Sequence, residues 1–390
     1  MVVFMKKVGL SVCYDTKNYG SQLQVLATVK KIEELGYETE IIRYKKKMSF
    51  KFICQTIPRF FNGYFVKSKI KGKKKRRNLA KCPEIYENVK IRNKRFEQYV
   101  KNNYTNLSEW YNGWDSLVKG TEKNYDTVLC GSDQLWLPSN LGSHFYTLEF
   151  ANSNKNKIAY ATSFGVSQIP WYQKHSTKKY LGDFSHLSCR EEKGAKIIKE
   201  LTGKDIPVVV DPTLLLNNEV WEKIIPTKRV IEDKYVFCYF LGDNLEHRKI
   251  AEELAQKENL KIVTIPFLDN FVEYDKKFGD YQMYDIDTND FVNLIRGAEY
   301  VLTDSFHGSI FSIINHKKFI TLNRFQEGTR NSRNSRIDNL CSMLELNERR
   351  YKGNIVESIK EDIDYDKVDN LLKDVRESSI EYLRNSLKDK

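Results

Sequence analysis

The run Thr303-Asp304-Ser305-Phe306-His307-Gly308-Ser309 gathers three hydroxyls, a carboxylate and an imidazole within seven residues. It follows the apolar Tyr300-Val301-Leu302, which reads as a buried strand. It precedes Ile310, Phe311, Ile313 and Ile314, whose spacing predicts a helix beginning near Ser309. In an open α/β sheet, ligands bind in the crevice beyond the carboxyl ends of strands. A helix N-terminus there turns free backbone N–H groups toward an anion. Imidazole is the side chain whose unperturbed pKa lies nearest neutrality, so His307 is the candidate proton carrier. Asp304, Ser305 and Ser309 are the candidate polar contacts for a phosphate- or carboxylate-bearing ligand.

Other residues suited to anions and sugars stand at the ends of other apolar runs. Arg190 follows His186-Leu187-Ser188-Cys189 and precedes Glu191-Glu192, where a strand would meet a helix. A guanidinium there offers a planar fork that fits a carboxylate or phosphate. Ser132 and Asp133 follow Gly131 after Val128-Leu129-Cys130, a place for binding sugar hydroxyls or shaping a loop. Asn18 sits at the first strand–helix turn, with Tyr19 and Gln24 beside it. Arg330, Arg333 and Arg336 lie beyond the last expected strand and offer further positive charge. Asp211 precedes Pro212 and is expected to fix a turn. His144, His175, His186, His247 and His316 are isolated and receive no role.

The elements that must hold these residues follow a β-loop-α rhythm. Strands are expected at 8–13, 38–44, 125–130, 157–164, 186–189 and 208–210. After about residue 217 they recur at 235–241, 261–266, 300–302 and 320–322. Helices are expected at 21–35, 192–201, 246–258, 288–297 and 366–387. The fold class is therefore α/β, with two Rossmann-like domains facing a cleft. The first spans 1–216, the second 217–345, and 346–390 forms a helical tail packing back on the first domain. Residues 45–104 break the rhythm as a basic helical insertion. Its apolar cluster, the aromatics Phe50, Phe60, Phe61, Tyr64 and Phe65 with Ile53 and Ile57, is flanked by lysines.

Charge is concentrated in that insertion. Residues 43–101 hold 20 Lys/Arg and 3 Asp/Glu, a balance of +17 in a chain of net +12, so the remainder is acidic at −5. The high pI thus reflects one segment, and no RNA-binding signature accompanies it, so nucleic acid is not expected as a partner. An anionic membrane surface contacted through 43–101 is the expected alternative to simple packing. No apolar run approaches the roughly 20 residues that span a bilayer. The N-terminal charges follow the apolar residues, the reverse of a secretory signal. Seven scattered cysteines form no CxxC, so neither a disulfide framework nor a metal site is expected. The expected location is cytoplasmic, with peripheral attachment to the inner membrane face.

Five motifs occur in order: Asn18-Tyr19-Gly20-Ser21-Gln22-Leu23-Gln24, Gly131-Ser132-Asp133-Gln134-Leu135-Trp136, Ser188-Cys189-Arg190-Glu191-Glu192, Asp211-Pro212-Thr213-Leu214-Leu215-Leu216 and Thr303-Asp304-Ser305-Phe306-His307-Gly308. That ordered set resembles the polysaccharide pyruvyl transferase family over roughly residues 8–345. The resemblance implies a GT-B-like pair of Rossmann domains. It also implies transfer of the enolpyruvyl group of phosphoenolpyruvate to a hexose diol as a cyclic ketal, in exopolysaccharide, capsule or cell-wall polymers. By motif, His307 and Arg190 match the family's donor-binding His and Arg. One position departs: better-characterised branches carry an Arg two residues before the His, where this chain has Ser305.

The chemistry so implied needs two cationic pockets a few ångströms apart and one acid–base near neutral pKa. Its donor is a substrate, and no cofactor or metal is required. The expected acceptor is a sugar on a lipid-linked oligosaccharide. Two alternatives stand beside it. One is a GT-B glycosyltransferase using a nucleotide sugar in exopolysaccharide or capsule biosynthesis. The other is a membrane-associated scaffold without catalysis.

Overall fold

A computed structural model describes residues 6–47, 83–138, 141, 144–268, 272–325 and 334–388. The aromatic cluster at 50–65, the lysine run at 67–77, Arg330 and Arg333 lie outside the described residues.

Two separate parallel sheets form the frame. The first has six strands in the order β3-β2-β1-β4-β5-β6. They are β1 (Lys7–Ser11), β2 (Glu38–Lys45), β3 (Leu107–Asn112), β4 (Thr127–Cys130), β5 (Asn156–Thr162) and β6 (His186–Cys189). The second has five in the order β11-β10-β7-β8-β9. They are β7 (Tyr235–Tyr239), β8 (Lys261–Thr264), β9 (Tyr281–Gln282), β10 (Tyr300–Thr303) and β11 (Lys318–Thr321). β4, β5 and β7 are buried along their whole length. A parallel sheet covered by helices on both faces demands such unbroken burial, hence runs such as Tyr235-Val236-Phe237-Cys238-Tyr239.

Strand order reverses between β1 and β4 in the first sheet and between β7 and β10 in the second. These are the switch points at which open α/β sheets take ligands. The loops leaving the first carry Asn18, Ser132 and Asp133. The turn leaving β10 carries Asp304 and Ser305, and His307 follows in the first turn of the next helix.

Helix α1 (Tyr19–Glu34) joins the two halves. Tyr19 stacks on Phe291 of a helix at Thr288–Gly297, ring centroids 5.2 Å apart. Gln22 Oε1 accepts a hydrogen bond from Thr288 Oγ1 at 2.6 Å. Phe291 also meets Tyr239 at 4.9 Å, Phe237 at 6.2 Å and Phe311 at 6.4 Å, and it is fully enclosed. Phe291→Ala is therefore expected to destabilise the fold by about 3–5 kcal/mol. Urea unfolding should show the lower midpoint.

Of the basic insertion, the helix α2 (Pro83–Asn103) is described, and it is anchored to the domain. Its Phe96 and Tyr99 are buried, Phe96 lies 4.6 Å from the Tyr19 ring, and Gln22 Nε2 donates to the Phe96 carbonyl at 3.3 Å. The last helix, Tyr365–Lys388, packs against the first sheet's side of the molecule. Ser379 Oγ accepts from the Val210 N–H, Tyr382 OH donates to the Ala159 carbonyl, and Asn156 Nδ2 donates to the Ser386 carbonyl.

Three local expectations need correction. The helix expected near Ser309 begins at Phe306, because Ser305 caps it by accepting from the Gly308 N–H. His307 therefore lies in the first helical turn. Residues 208–210 form only a single bridge with Cys189, because Pro212 carries no N–H to extend a ladder and the chain turns at Asp211 into a short 3₁₀ helix. β3 was not expected. Its sequence Leu-Ser-Glu-Trp-Tyr-Asn is polar and half-exposed, as an edge strand's is.

Candidate active site

The first switch point is built by α1 and the turn after β4. Asn18 caps α1, its Oδ1 accepting from the Ser21 N–H at 3.0 Å. Ser21 Oγ then donates to Asp133 Oδ2 at 2.8 Å, and Gln24 Oε1 accepts from the Ser132 N–H at 2.9 Å. The Asn18–Gln24 motif and the Gly131–Asp133 motif are thus one unit. Gly131 is required there: a β-carbon would stand 1.9 Å from the Tyr160 carbonyl oxygen. Asp133 itself holds φ of 77°, a left-handed backbone that is uncommon for a side-chain-bearing residue outside functional turns.

Arg190 leaves β6 and reaches across this turn. Its Nη1 donates to Asp211 Oδ2 at 2.6 Å and to Ser132 Oγ at 3.4 Å, and its Nη2 lies 3.6 Å from Asp133 Oδ1. Asp211 Oδ1 accepts from both the N–H and the hydroxyl of Thr213. From the second sheet, His307 Nε2 comes to 3.7 Å from the same Asp211 Oδ2. That is ion-pair range, too long for a direct hydrogen bond. Arg190 and His307, taken from opposite halves, therefore converge on one carboxylate oxygen. The Phe306 ring lies between the motifs, 4.7 Å from the Arg190 guanidinium and 5.6 Å from that of Arg336, which comes from the helix at Ser335–Met343. Gly20 lets the halves close: a β-carbon there would stand 2.1 Å from His307 Nδ1.

The electrostatics are unbalanced in an informative way. Burial alone would raise the Asp211 carboxyl. The adjacent His307 and Arg190, with the Thr213 hydrogen bond, overcome it and hold Asp211 well below the usual carboxylate range. Asp133 likewise has burial opposed by Arg190, His307, Arg336 and Ser21, and ends lowered. Burial pulls the Arg336 guanidinium down to about 9, helped by the repelling charge of Arg190. Arg336 Nε, Arg190 Nε and Nη2, and His307 Nε2 are all enclosed without a hydrogen-bond partner among the described residues. Enclosed donors without partners are costly, and they mark where a ligand would supply acceptors.

The depressed carboxyls make an acid-stability prediction. Asp133 and Asp211 bind protons more weakly folded than unfolded, so their contribution is full above the unfolded carboxyl pKa of about 4 and is lost as pH falls further. Unfolding free energy should drop steeply below about pH 5. Asp211→Asn should flatten that slope in denaturant titrations run at several pH values.

The remaining residues expected at the site have local partners. Ser132 Oγ donates to the Ala161 carbonyl at 2.9 Å. Asp304 turns into its own domain: its Oδ1 accepts from the Leu241 N–H at 2.7 Å, and it neighbours Arg324 and His247 at 3.3 and 3.7 Å. Ser305 is the helix cap, and Ser309 Oγ donates to the Ser305 carbonyl at 3.1 Å. Asp304, Ser305 and Ser309, expected as polar contacts for a ligand, and Ser132, expected to bind sugar hydroxyls or shape a loop, all make bonds that hold the loops carrying the site. Asn18 is a cap too. Conversely, Asp211, expected to fix a turn, sits between Arg190 and His307. Phe306, Gly20 and Ser21 drew no sequence expectation of their own, although all three lie inside quoted motifs.

Comparison with known proteins agrees with the motifs. The polysaccharide pyruvyl transferase family matches residues 18–324. A search of curated proteins finds no match. Among solved structures, the UDP-GlcNAc 2-epimerase of Rickettsia bellii has a TM-score of 0.47 at 10% identity, covering 97% of this chain and 98% of that one. The UDP-GlcNAc 2-epimerase of Neisseria meningitidis, bound to UDP-GlcNAc, has 0.45 at 11%, covering 96% and 99%. The E. coli heptosyltransferase WaaC with ADP has 0.37 at 11%, covering 84% and 90%. The family match spans both switch-point loops, from Asn18 to Arg324, and on it the chain belongs to the polysaccharide pyruvyl transferase family.

Proposed function

We propose that this protein moves the enolpyruvyl group of phosphoenolpyruvate onto a hexose of a polysaccharide, or of its lipid-linked precursor, to form a pyruvate ketal. The observation that carries this reading is the set of enclosed, unpartnered donors of Arg190, Arg336 and His307. Phosphoenolpyruvate bears a carboxylate and a phosphate on a small frame, and two guanidinium groups beside one imidazole suit that shape. Arg190 arrives with Asp211 and Asp133 as counter-charges, whereas Arg336 has no ion pair among the described residues. Arg336 therefore takes the anion most strongly. Ser305 stands where other branches carry a cation. Arg336, against the neighbouring Phe306 ring, supplies the positive charge instead.

His307 delivers a proton to the methylene carbon and leaves an oxocarbenium-like centre. A sugar hydroxyl attacks that centre and returns its proton to the imidazole; the C–O bond to phosphate then breaks, and the second hydroxyl of the diol closes the ring as its proton leaves with the departing phosphate. Asp133, held at the opposite switch point, faces the acceptor's hydroxyls.

The test is direct. Purified protein with phosphoenolpyruvate and a panel of pyranoside diols on lipid carriers should release phosphate in step with an acid-labile pyruvate ketal on the sugar. If thermal-shift screening shows stabilisation by UDP-, GDP- or CMP-sugars and none by phosphoenolpyruvate, the nucleotide-sugar glycosyltransferase takes its place.

The lipid-linked acceptor is met at the cytoplasmic membrane face through residues 43–101. No described helix is long and apolar enough to cross a membrane. Binding to vesicles containing anionic lipid should fall sharply as salt rises from about 0.05 to 0.5 M, because exposed charges are screened within a Debye length. Sedimentation with vesicles reads this, and salt-insensitive binding would dismiss the anchor.

A further inference from the structure

We propose that Trp171, Tyr172 and the lysines of the helix Lys174–Gly182 form a docking surface for anionic phospholipid, separate from residues 43–101. This surface does not depend on which donor the site takes. Three observations support it.

First, two neighbouring aromatics stand out in solvent. Trp171 is 84% exposed, the most of any large apolar side chain among the described residues, and Tyr172 is 48% exposed. A single exposed apolar residue needs no explanation, but an adjacent pair leaves a contiguous apolar area in water. Their rings meet edge to face, with centroids 5.9 Å apart and planes at 89°. Indole and phenol rings are apolar in body and polar at one end, so they settle at head-group depth in a bilayer.

Second, the charge beside them is of one sign. Residues 163–182 contain Lys174, Lys178 and Lys179 and no Asp or Glu. All three lysines are exposed, while the same helix turns Thr177, Tyr180 and Leu181 inward. The next acid along the chain, Asp183, is paired with Lys157. Outside residues 43–101 the chain carries a net −5, so this stretch is positive within an acidic remainder. Cations flanking exposed aromatics complement a layer of anionic head groups, where lysine stems lie along the apolar boundary and the ammonium groups reach phosphate.

Third, the surface is held firmly and lies beside the site. The chain leaving β5 is tied to the Asp133 turn: the Ser163 N–H donates to the Asp133 carbonyl at 3.0 Å. Gln173, next to the aromatic pair, donates through Nε2 to the Pro138 carbonyl at 3.2 Å. Tyr180 packs on Trp136, ring centroids 5.8 Å apart. The aromatics therefore stand at the carboxyl edge of the first sheet, the edge that carries Asp133 and Arg190. The helix connects β5 to β6, at the opposite end of the sheet from β2 and β3, which border residues 43–101. Two contacts at opposite ends of one sheet fix how the site meets a bilayer, whereas a single contact leaves the protein free to swivel.

A neutral saccharide is the competing occupant. A sugar stacks on a flat ring face ringed by hydrogen-bonding side chains. Here the two rings are crossed and the flanking groups are ammonium ions, which favours lipid.

Trp171 reports on its own docking. The full chain is mixed with vesicles of phosphatidylcholine containing phosphatidylglycerol, and with vesicles of phosphatidylcholine alone. With the anionic vesicles, tryptophan emission should shift to the blue and be quenched by lipid brominated near the head group. Trp171→Phe should lose both signals while still binding. The triple variant Lys174→Gln, Lys178→Gln, Lys179→Gln should bind anionic vesicles about 10²-fold more weakly, at about fivefold per lysine. The double variant Trp171→Ala, Tyr172→Ala should bind about 10-fold more weakly. Circular dichroism should match wild type in each, because every altered side chain is exposed. Both variants should turn over a water-soluble acceptor as wild type does, and a vesicle-borne acceptor more slowly. Trp171 emission indifferent to anionic vesicles, or variants that bind them as wild type does, overturns the proposal. A shift produced by a soluble neutral polysaccharide and not by vesicles overturns it too, and makes the pair a sugar platform. Vesicle docking through Trp171 in a protein that releases no phosphate from phosphoenolpyruvate would instead sink the transfer reaction and leave this surface standing.

Discussion

His307→Ala is expected to abolish phosphate release from phosphoenolpyruvate, lowering kcat by about 10²–10⁴-fold, while the protein stays folded. The imidazole Nε2 has no hydrogen-bond partner among the described residues, so removing it breaks no hydrogen bond at that nitrogen. Asp211 loses one neighbour at 3.7 Å but keeps Arg190 at 2.6 Å, Ser132 at 3.2 Å and both Thr213 donors, so no carboxylate is left bare. The cap of its helix is formed by Ser305 and is untouched. A structural histidine would show the opposite pattern, a loss of stability with activity falling only as the folded fraction falls. Phosphate release measured beside a thermal melt separates the two. A variant that keeps more than about a tenth of wild-type kcat would remove His307 from the chemistry.

Much of the frame was legible because it follows from period and punctuation. The helix at Thr288–Gly297 matches its expected bounds, since Asp287 and Asp290 make a capping box before an apolar stripe and Ala298 leads straight into the next strand. β6 matches as well. The two buried strands that flank each switch point announce themselves as apolar runs ending in polar turns. Edges were less legible. β3 is half-exposed and β9 has two residues, so neither carries enough apolar pattern to be distinguished from a loop.

The site divides along a similar line. Arg190 and His307 could be named because each stands where a strand gives way to a helix. What sequence could not tell is which polar residues face the ligand and which face the loop. Asp304 and Asp133 look alike as acidic residues after buried strands, yet Asp304 is bonded to Leu241 within its own half while Asp133 meets Arg190 and Ser21. That difference is made by the partner loop, which lies far away in sequence. Asp211 was underestimated for the same reason. Its Pro212 neighbour explains a turn locally, and only the folded chain brings Arg190 and His307 to its Oδ2.

Arg190 and Arg336 should respond to the same substitution with opposite signs in stability. Arg190→Met removes the closest counter-charge of Asp211 and a neighbour of Asp133, both of which stay enclosed. Breaking a buried pair from one side leaves an uncompensated charge, at about 3–5 kcal/mol. The expected result is a large fall in melting temperature, and activity lost with the fold. Arg336 is different. It has no ion pair among the described residues, its Nε has no acceptor, and Arg190 repels it strongly enough to help bring it down to about 9. Replacing a desolvated cation that has no ion pair among the described residues with an apolar side chain of similar length removes a penalty, and the Phe306 ring contact it gives up is weaker than that penalty. Arg336→Met should therefore melt at or above the wild-type temperature. Phosphoenolpyruvate should bind about 10²-fold more weakly, since a charge-assisted contact to the donor is lost. Melting curves with and without phosphoenolpyruvate read both effects in one experiment. The wild type should be stabilised by the donor, the Arg336→Met protein should start higher and respond little, and Arg336→Lys should regain part of the response without the bidentate fork. An Arg336→Met protein that melts lower and still binds phosphoenolpyruvate normally would show that this guanidinium holds the fold and not the anion.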